Sequence, residues 1–337
     1  MTQLLELNTL PEGFLSATPQ TVHRVLAQPT LLHLPGRRPE PLFVSVLLHG
    51  NEGTGLAAVQ SVLRARHARE LPRALSIFVG NVEAAAQGLR HLDGQPDFNR
   101  VWPGTPHGAL PEAQLAQQVV EAMTARRVFA SIDIHNNTGL NPYYGCVNRL
   151  DASYLHLATL FSRIVVYFKT PLGVQSAAFA PLCPAVTVEC GKPGNPAGDT
   201  HAARFIEAAL HLEHFPEQPV RRQDIDVYHT VATVKVPQAV AFSFDDTYAD
   251  IRFVSDLDHM NFRDLAPGTV LARIQPQGAA GLEVHDEHGA PVFEHYFEVR
   301  DDLLRIRRAV TPAMLTLDAG VIRQDCLCYL MERIVLP

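Results

Sequence analysis

The chain has 337 residues, which is long enough for two domains and a sizeable core. With 47% hydrophobic and 19% charged residues, and no apolar run approaching ~20 residues, the composition is typical of a soluble globular protein and argues against a membrane-spanning one. The formal net charge of -7, without an offsetting basic cluster, argues against a nucleic-acid partner.

Strands and helices alternate along the chain up to residue 215. Apolar runs bounded by turn residues predict strands, and apolar residues at helical spacing predict helices. The predicted strands are Leu42–Leu48, Leu75–Val79, Val128–Ile134, Ile164–Phe168 and Ala185–Val188. The predicted helices are Thr54–Arg69, Pro111–Arg127, Ser153–Phe161 and Thr200–Leu212. This alternation predicts an α/β domain built on a mixed sheet flanked by helices.

A proline-flanked segment, His214–Pro219, marks the clearest boundary in the sequence. Beyond it the pattern becomes strand-like, and turn residues interrupt the apolar runs. The predicted strands there are Ile225–Val234, Ala239–Phe244, Thr269–Ile274, Gly281–Asp286 and Pro291–Val299. We therefore expect an α/β domain in residues 1–215 and a smaller β-rich domain in residues 216–337.

The end of the first long strand carries two side chains that can bind a metal ion. His49 and Glu52 lie in the segment Leu48–Gly53, between that strand and the helix predicted from Thr54. Neutral imidazole and carboxylate are zinc ligands, and a catalytic zinc keeps one position open for water. A third protein ligand is then needed from elsewhere in the chain.

His135 is the best candidate for the third ligand. It follows the apolar run Val128–Ile134 and precedes turn-forming residues, so its context repeats that of His49. Asp133 would point to the same face of the strand, where it could orient the His135 imidazole or a bound water. Another apolar run leads directly into Glu189, which makes that acid a candidate general base.

Each of these residues has a simpler explanation when it is taken alone. The chain has 16 histidines, so any single one is more often an ordinary surface or core residue. A glutamate in the first helical turn is favourable because it faces the positive end of the helix dipole. Taken together, however, polar residues that close three hydrophobic strands favour a functional site, because the strand ends of an open α/β sheet converge on one crevice.

The order of these motifs resembles that in the succinylglutamate desuccinylase/aspartoacylase family, within the zinc carboxypeptidase-like superfamily. The resemblance rests on His49–Glu52, the pair Asn99 and Arg100, Asp133–His135 and Glu189. It implies a zinc-carboxypeptidase-like fold, followed by a β-rich C-terminal domain that restricts access to the site and favours small acylated amino acids.

The resemblance also implies chemical roles. One zinc ion per chain would be bound by His49, Glu52 and His135, and Glu189 would activate a water and later protonate the departing amine. Arg90 would help to stabilise the tetrahedral oxyanion, although its distance along the chain from the Asn-Arg pair is longer than in the family.

A substrate carboxylate would be gripped by Asn99 and Arg100, since an arginine can donate two parallel hydrogen bonds to it. Two departures bear on the substrate. The second carboxylate-binding arginine of aspartoacylases would fall near Phe179, and Tyr296 is not in register with their C-terminal tyrosine. N-acetylaspartate is therefore not the expected substrate.

We expect a zinc-dependent amidohydrolase that removes the acyl group from a small N-acyl amino acid, rather than an enzyme that cleaves peptide bonds of proteins. A metallocarboxypeptidase acting on peptides is the alternative, because it uses the same triad, base and Asn-Arg grip. A non-catalytic zinc-containing binding module is the second alternative, which the presence of Glu189 disfavours. Five cysteines without a disulfide-scaffold density, and an N-terminus without secretion-signal features, predict reduced thiols and a cytoplasmic location.

Overall fold

The computed structural model describes residues 4–66, 69–275 and 281–336. The chain forms two compact units: Met1–Asn136 with Tyr143–Asp226, and Asn137–Pro142 with Val227–Pro337. The division into a catalytic α/β domain, residues 1–215, and a β-rich domain that restricts access to the site, residues 216–337, stays a prediction. Within the described ranges, no helix is long and apolar enough to cross a membrane.

A mixed sheet forms the centre of the first unit. Its strands are β1 Leu5–Leu7, β2 Thr30–Leu34, β3 Gly36–Val46, β4 Leu71–Val79, β5 Ala130–His135, β6 Tyr144–Val147, β7 Ile164–Tyr167 and β8 Ala185–Glu189. They lie in the order β1-β2-β4-β3-β5-β8-β6-β7, with β2–β4 and β6–β8 antiparallel and the other neighbours parallel. The five residues 42–46 of β3 are all buried, as expected for a central strand covered on both faces.

Helices flank this sheet. They are α1 Thr54–Ala65, α2 Val82–Gln87, α3 Pro111–Ala125, α4 Ala152–Thr159, α5 Gln175–Phe179 and α6 Pro196–His211. α1 packs against α6 and contacts β3 and β5, whereas α5 contacts β5 and β8. The predicted α/β class, with a mixed sheet flanked by helices, is confirmed.

A buried arginine holds the C-terminal end of α6. Arg73 on β4 donates from Nη2 to the carbonyl of Leu212 and from Nη1 to that of Glu40, both at 2.9 Å. Its guanidinium carbon lies 3.5 Å from the centre of the Phe129 ring. Burial lowers the pKa of Arg73 to about 10, so the guanidinium stays charged at neutral pH. A cation beside the last carbonyls of a helix also interacts favourably with the helix dipole.

The second unit is β-rich and has its own core. Its strands are β9 Asp226–Lys235, β10 Phe242–Ser243, β11 Ile251–Phe253, β12 Val270–Ile274, β13 Glu283–Asp286, β14 Phe297–Arg300, β15 Leu303–Ile306, β16 Thr311–Ala313 and β17 Cys328–Ile334. Short α-helices, α7 Phe293–Tyr296 and α8 Ala319–Gln324, and a 3-10 helix, Leu257–Met260, accompany them. The pairings run β13-β9-β17-β16 and β10-β11-β12-β15-β14. A separate β-rich C-terminal part was predicted and is confirmed.

Several predicted boundaries were wrong. The strand expected at Pro291–Val299 is interrupted by α7, because Phe293 and Tyr296 are one helical turn apart and only a helical turn brings them to one face. Of Ala239–Phe244, only Phe242–Ser243 is a strand. The helix expected to reach Arg69 ends at Ala65. Residues 67–68 of the predicted helix lie outside the described part of the chain.

Candidate active site

The sheet order brings the predicted site residues to one edge. β3, β5 and β8 are parallel neighbours, so their C-terminal ends lie side by side. His49 and Glu52 follow β3, His135 ends β5 and Glu189 ends β8. The convergence expected from the strand ends is therefore present in the fold.

A turn at Leu47 directs the chain from β3 into the site. Leu47 adopts a φ of 54°, in the left-handed region that costs an L-residue about 1–2 kcal/mol. Two backbone hydrogen bonds hold this turn, from Gly80 N to Val46 O at 3.0 Å and from Asn81 N to Leu47 O at 2.7 Å. The surrounding structure therefore maintains the conformation that presents His49.

Gly50 allows the site loop to pack closely on α2. A Cβ at this position would lie 2.2 Å from the backbone nitrogen of Ala85 and 2.6 Å from the carbonyl oxygen of Leu89. The amide of Gly50 donates to the carbonyl of Arg90 at 3.0 Å. Gly50 thus keeps the segment that carries Arg90 against the loop that carries His49 and Glu52.

His49, Glu52 and His135 form a buried cluster with the geometry of a metal site. Their candidate ligand atoms all lie within 4.8 Å of one another. The two Nδ1 atoms are 3.2 Å apart, and each lies 2.8 Å from an oxygen of the Glu52 carboxylate. Two nitrogen ligands about 2.0–2.1 Å from a tetrahedral zinc lie about 3.3 Å apart, so the donor set fits this ion.

The far nitrogen of each imidazole faces a carboxylate. Nε2 of His49 lies 3.0 Å from Oδ1 of Asp97, and Nε2 of His135 lies 2.8 Å from Oδ2 of Asp133. A carboxylate in this position fixes the ring orientation and increases the basicity of the ligating nitrogen. Asp133 therefore contacts His135 as the strand alternation predicted.

The charges in the cluster compensate one another. Burial raises the pKa of Glu52, but the neighbouring His49 and His135 lower it by more. The pKa of Glu52 therefore lies well below its usual range. Burial lowers the pKa of His135, whereas Asp133 and Glu52 raise it, with the result well above the ordinary value. An isolated charge would be costly at this depth, and neighbouring groups of opposite charge offset that cost.

Glu189 is the register partner of His135 in the parallel pair of β5 and β8. Adjacent strands lie about 4.8 Å apart, so the two side chains are on the same face of the sheet. Only 7% of Glu189 is exposed, and the amide of Cys190 donates to the carbonyl of His135 at 2.9 Å. The acid is therefore held beside the His49, Glu52 and His135 cluster by the sheet itself.

Arg90 lies at the cluster, bound to Asp97. Its Nη2 and Nε donate to Oδ2 of Asp97 at 2.9 and 3.2 Å, and Nη1 is 3.7 Å from Oε1 of Glu52. The longer interval between Arg90 and the Asn-Arg pair does not move it away from the site.

Asn99 and Arg100 are adjacent in sequence but have different surroundings. Asn99 is 6% exposed, and its amide contacts Asp133 and His135. Arg100 is partly exposed and donates from Nη1 to the carbonyl of Asn99 at 2.8 Å. Two residues after Arg100, the amide of Trp102 donates to the carbonyl of Gly173 at 3.0 Å.

Comparison with known proteins agrees with this geometry. A sequence profile of the succinylglutamate desuccinylase/aspartoacylase catalytic domain matches residues 41–215, just over half of the chain. The chain belongs to the succinylglutamate desuccinylase/aspartoacylase family. No curated protein sequence matches it.

Solved structures share the family fold at low sequence identity. Succinylglutamate desuccinylase from Chromobacterium violaceum is 17% identical with a TM-score of 0.56, covering 90% of this chain and 87% of that chain. Murine aminoacylase 3 is 15% identical with a TM-score of 0.58, covering 89% and 97%. The product-bound ectoine utilization protein EutE from Ruegeria pomeroyi is 15% identical with a TM-score of 0.56, covering 90% and 88%. The predicted fold, a large mixed sheet flanked by helices as in the solved structures of this family, is confirmed.

The two positions that depart from the aspartoacylase pattern have structural surroundings of their own. Phe179 is fully buried, with its ring stacked 4.5 Å from that of Phe43 at an angle of 6°. Tyr296 is also buried in the second unit, where its hydroxyl lies 3.4 Å from Oε1 of Glu332. Phe179 is therefore a core residue.

Sequence reasoning missed several polar residues of the site. Asp97, Gln175 and Ser45 are three of them. Ser45 donates to Oδ1 of Asp133 at 2.6 Å, and its position opposite Asp133 follows from the pairing of β3 with β5. A buried serine in an otherwise apolar strand was the available signal for it.

Asn136 connects the loops around the cluster. Its amide group donates to Thr54 Oγ1 at 3.1 Å and to the carbonyl of Gly191 at 2.9 Å, and its backbone N–H donates to Oε2 of Glu52 at 3.1 Å. Asn136 thus holds together the chain segments that follow β3, β5 and β8.

Proposed function

We propose that this protein is a zinc-dependent amidohydrolase that hydrolyses the amide bond of a small N-acyl amino acid. Membership of the family, whose members are deacylases, supports a hydrolase of this class. One observation supports the zinc dependence. The Nδ1 atoms of His49 and His135 both contact the Glu52 carboxylate, and the Nε2 atom of each ring contacts a further carboxylate. A purely structural histidine pair would not need this complete arrangement.

His49, Glu52 and His135 are the residues that would hold the zinc ion. Bound zinc supplies Lewis acidity, which polarises a carbonyl group and lowers the pKa of a water to about 7. Three protein ligands leave a fourth position open, as in catalytic rather than structural sites. Asp97 and Asp133 keep the two imidazole rings in the orientation that this requires.

Glu189 is proposed as the general base and then the general acid. Its carboxylate would accept a proton from the attacking water and later deliver it to the departing amine nitrogen. Its register pairing with His135 supports this role, because the acid and the third metal ligand share one face of the sheet. The amine and the carboxylic acid are the two products.

Arg90 and the Asn-Arg pair are proposed to act on the substrate. Arg90, already within 3.7 Å of Glu52, would donate to the oxyanion that develops on the scissile carbonyl. Arg100 would bind a substrate carboxylate in a charge-assisted pair. The resemblance gives Asn99 a share in this grip. A carboxylate-bearing N-acyl amino acid satisfies all of these groups.

A thiol mechanism is disfavoured at this edge of the sheet. Burial raises the pKa of Cys146 well above its ordinary value, and the negative charges of Glu189 and Asp133 raise it further. Burial also raises the pKa of Cys190, which follows Glu189 directly, and the negative charges of Glu189, Asp199 and Glu52 raise it further. Both thiols stay protonated at neutral pH, whereas a nucleophilic cysteine needs its thiolate.

The decisive experiment measures amine release by zinc-loaded protein from N-acetyl, N-succinyl and N-formyl amino acids and from short peptides. The expected result is amine release from one class of N-acyl amino acid, which identifies the acyl group. The Glu189→Gln variant should lose this activity. Release from peptides alone would support a metallocarboxypeptidase. No release from any substrate, with zinc bound, would support the binding-module alternative. Cell fractionation would test the proposed cytoplasmic location.

A further inference from the structure

Strand β14 is the last strand of the five-stranded sheet in the β-rich unit. Within the described part of the chain, its four residues, Phe297–Arg300, pair with β15 alone. The outer side of an edge strand carries backbone N–H and C=O groups that can pair with a further strand. At β14, therefore, the sheet can be extended by another chain.

The pairing with β15 determines which backbone groups of β14 face outwards. The amide of Arg307 donates to the carbonyl of Tyr296 at 2.8 Å and so continues the ladder just before β14 begins. Backbone groups of an antiparallel strand point alternately to its two sides. Those of Glu298 and Arg300 therefore point to β15, as at Tyr296, whereas the N–H and C=O of Val299 face outwards.

The side chain of Val299 is exposed on the apolar face of this sheet. It lies on the same face as Phe297, two residues earlier, and as Leu304, its register partner on β15. Phe297 and Leu304 are buried in the core of the unit, whereas Val299 is 49% exposed. An apolar residue is thus left at the rim of the core, where a further strand would cover it.

The charges that flank Val299 make the strand complementary to itself. Glu298 and Arg300 lie on the other face of the sheet, and both are exposed. In an antiparallel pair of two β14 strands centred on Val299, Glu298 of each copy lies opposite Arg300 of the other. Opposite charges at directly opposed positions stabilise a strand pair, whereas like charges destabilise it.

The same charges disfavour other registers. A shift by two residues, which keeps outward-facing backbone groups together, would place Glu298 opposite Glu298 or Arg300 opposite Arg300. A shift by one residue would turn the apolar face of one strand to the polar face of the other. Only the register centred on Val299 combines matched faces with opposite charges.

Neither charge is fully engaged within its own chain. The guanidinium of Arg300 lies 3.9 Å from the carboxylate of the adjacent Asp301, and both side chains are at least 77% exposed. On β15, Arg305 is the register partner of Glu298, but its Nη1 donates to the carbonyl of Gly268 at 3.2 Å. Glu298 and Arg300 can therefore pair with a second copy without breaking a buried ion pair.

We propose that β14 is a self-association surface, at which it pairs antiparallel with β14 of a second copy about Val299. The two Val299 residues exchange their backbone hydrogen bonds, and their side chains cover each other. A contact of this size is smaller than the roughly 1,200 Å² of a stable interface, so the dimer is weak and depends on protein concentration. This association does not depend on the proposed hydrolytic function.

Sedimentation velocity of the full chain over a wide range of concentrations provides the test. Wild type is expected to shift from monomer towards dimer as the concentration rises. Glu298→Arg and Arg300→Glu each place like charges opposite one another in both pairs, so each should raise the dissociation constant of the dimer at least about 10-fold. An equimolar mixture of the two variants should associate again, because every pair then joins a carboxylate to a guanidinium.

Two further variants separate this contact from general effects of charge and folding. Arg263→Glu makes the same change in net charge at an exposed position outside the strands and should associate like wild type. Val299→Pro removes the outward N–H, which is the side on which an edge strand tolerates proline. It should remain monomeric where wild type dimerises, and thermal unfolding would show that it is folded.

A wild-type sedimentation coefficient that does not change with concentration would overturn the proposal. Association that persists in Glu298→Arg, Arg300→Glu and Val299→Pro would also overturn it, because the contact between copies would then lie elsewhere. If the two charge variants are monomeric and their mixture stays monomeric, the antiparallel pairing about Val299 is wrong.

Discussion

The Asp97 carboxylate holds the imidazole of His49, with Oδ1 3.0 Å from Nε2. The other carboxylate oxygen of Asp97 accepts two hydrogen bonds from the guanidinium of Arg90. One side chain therefore orients a proposed metal ligand and the arginine proposed to stabilise the oxyanion.

Asp97→Asn should weaken both functions together. Loss of the negative charge is expected to lower zinc affinity about 10- to 100-fold and to reduce kcat even when zinc is saturating, because Arg90 loses its charged partner. Zinc titration and steady-state kinetics measure the two effects. Asp93→Asn, at an exposed position of the same segment, is the control and should match wild type. An unchanged zinc affinity in Asp97→Asn would contradict the role of Asp97.

Removal of zinc should abolish activity and lower stability. Treatment with a strong chelator is expected to bring amine release to background, and one equivalent of zinc should restore it. Zinc at a concentration 1,000 times its dissociation constant should raise the free energy of unfolding by about 4 kcal/mol. His135→Ala should lose this stabilisation, which thermal unfolding with and without zinc would measure. A variant that kept it would exclude His135 as a ligand.

Arg100→Ala should affect substrates according to their charge. A charge-assisted hydrogen bond contributes about 1.5–3 kcal/mol, so kcat/KM for a carboxylate-bearing substrate should fall roughly 10- to 100-fold. The corresponding amide, which has no carboxylate, should lose much less. An equal loss on both substrates would show that Arg100 does not bind the carboxylate.

Gly173→Ala should disturb the loop that carries Arg100. Gly173 has a φ of 72°, and a Cβ there would lie 2.3 Å from the carbonyl oxygen of Arg100. We expect a raised KM together with a loss of stability of about 1–3 kcal/mol. Gly194 has a similar φ of 77° but nothing within 4 Å of its Cβ position, so Gly194→Ala controls for the backbone strain alone. Equal KM values in the two variants would exclude the clash as the cause.

Arg73→Met should destabilise the first unit. The carbonyl groups of Glu40, Leu212 and Glu213 would lose the guanidinium that donates to them, and the contact with the Phe129 ring would be reduced. We expect a loss of about 2–4 kcal/mol in the free energy of unfolding, measured by chemical denaturation. Arg37→Met, at a side chain that is 74% exposed, should cost less than about 0.5 kcal/mol.

The sequence by itself predicted the α/β class and the residues at the ends of the central strands. Runs such as Val128–Ile134 are apolar because both faces of a central strand are covered, and a polar residue that closes such a run stands out. His49, Glu52, His135 and Glu189 were recognisable for this reason. The motif order then indicated the family. Strands at the edge of the sheet, such as Leu5–Leu7, were missed because they are short and only partly buried.

Only the tertiary structure decided which polar groups bind to which. His49 and Asp97 are 48 residues apart in the chain, and Asn99 and Gln175 are 76 apart. Their contacts depend on the sheet order and on the loops that bring distant segments together, which hydrophobic periodicity does not encode. Residue identity indicated the chemistry of the site, whereas three-dimensional packing decided the orientation of each group within it.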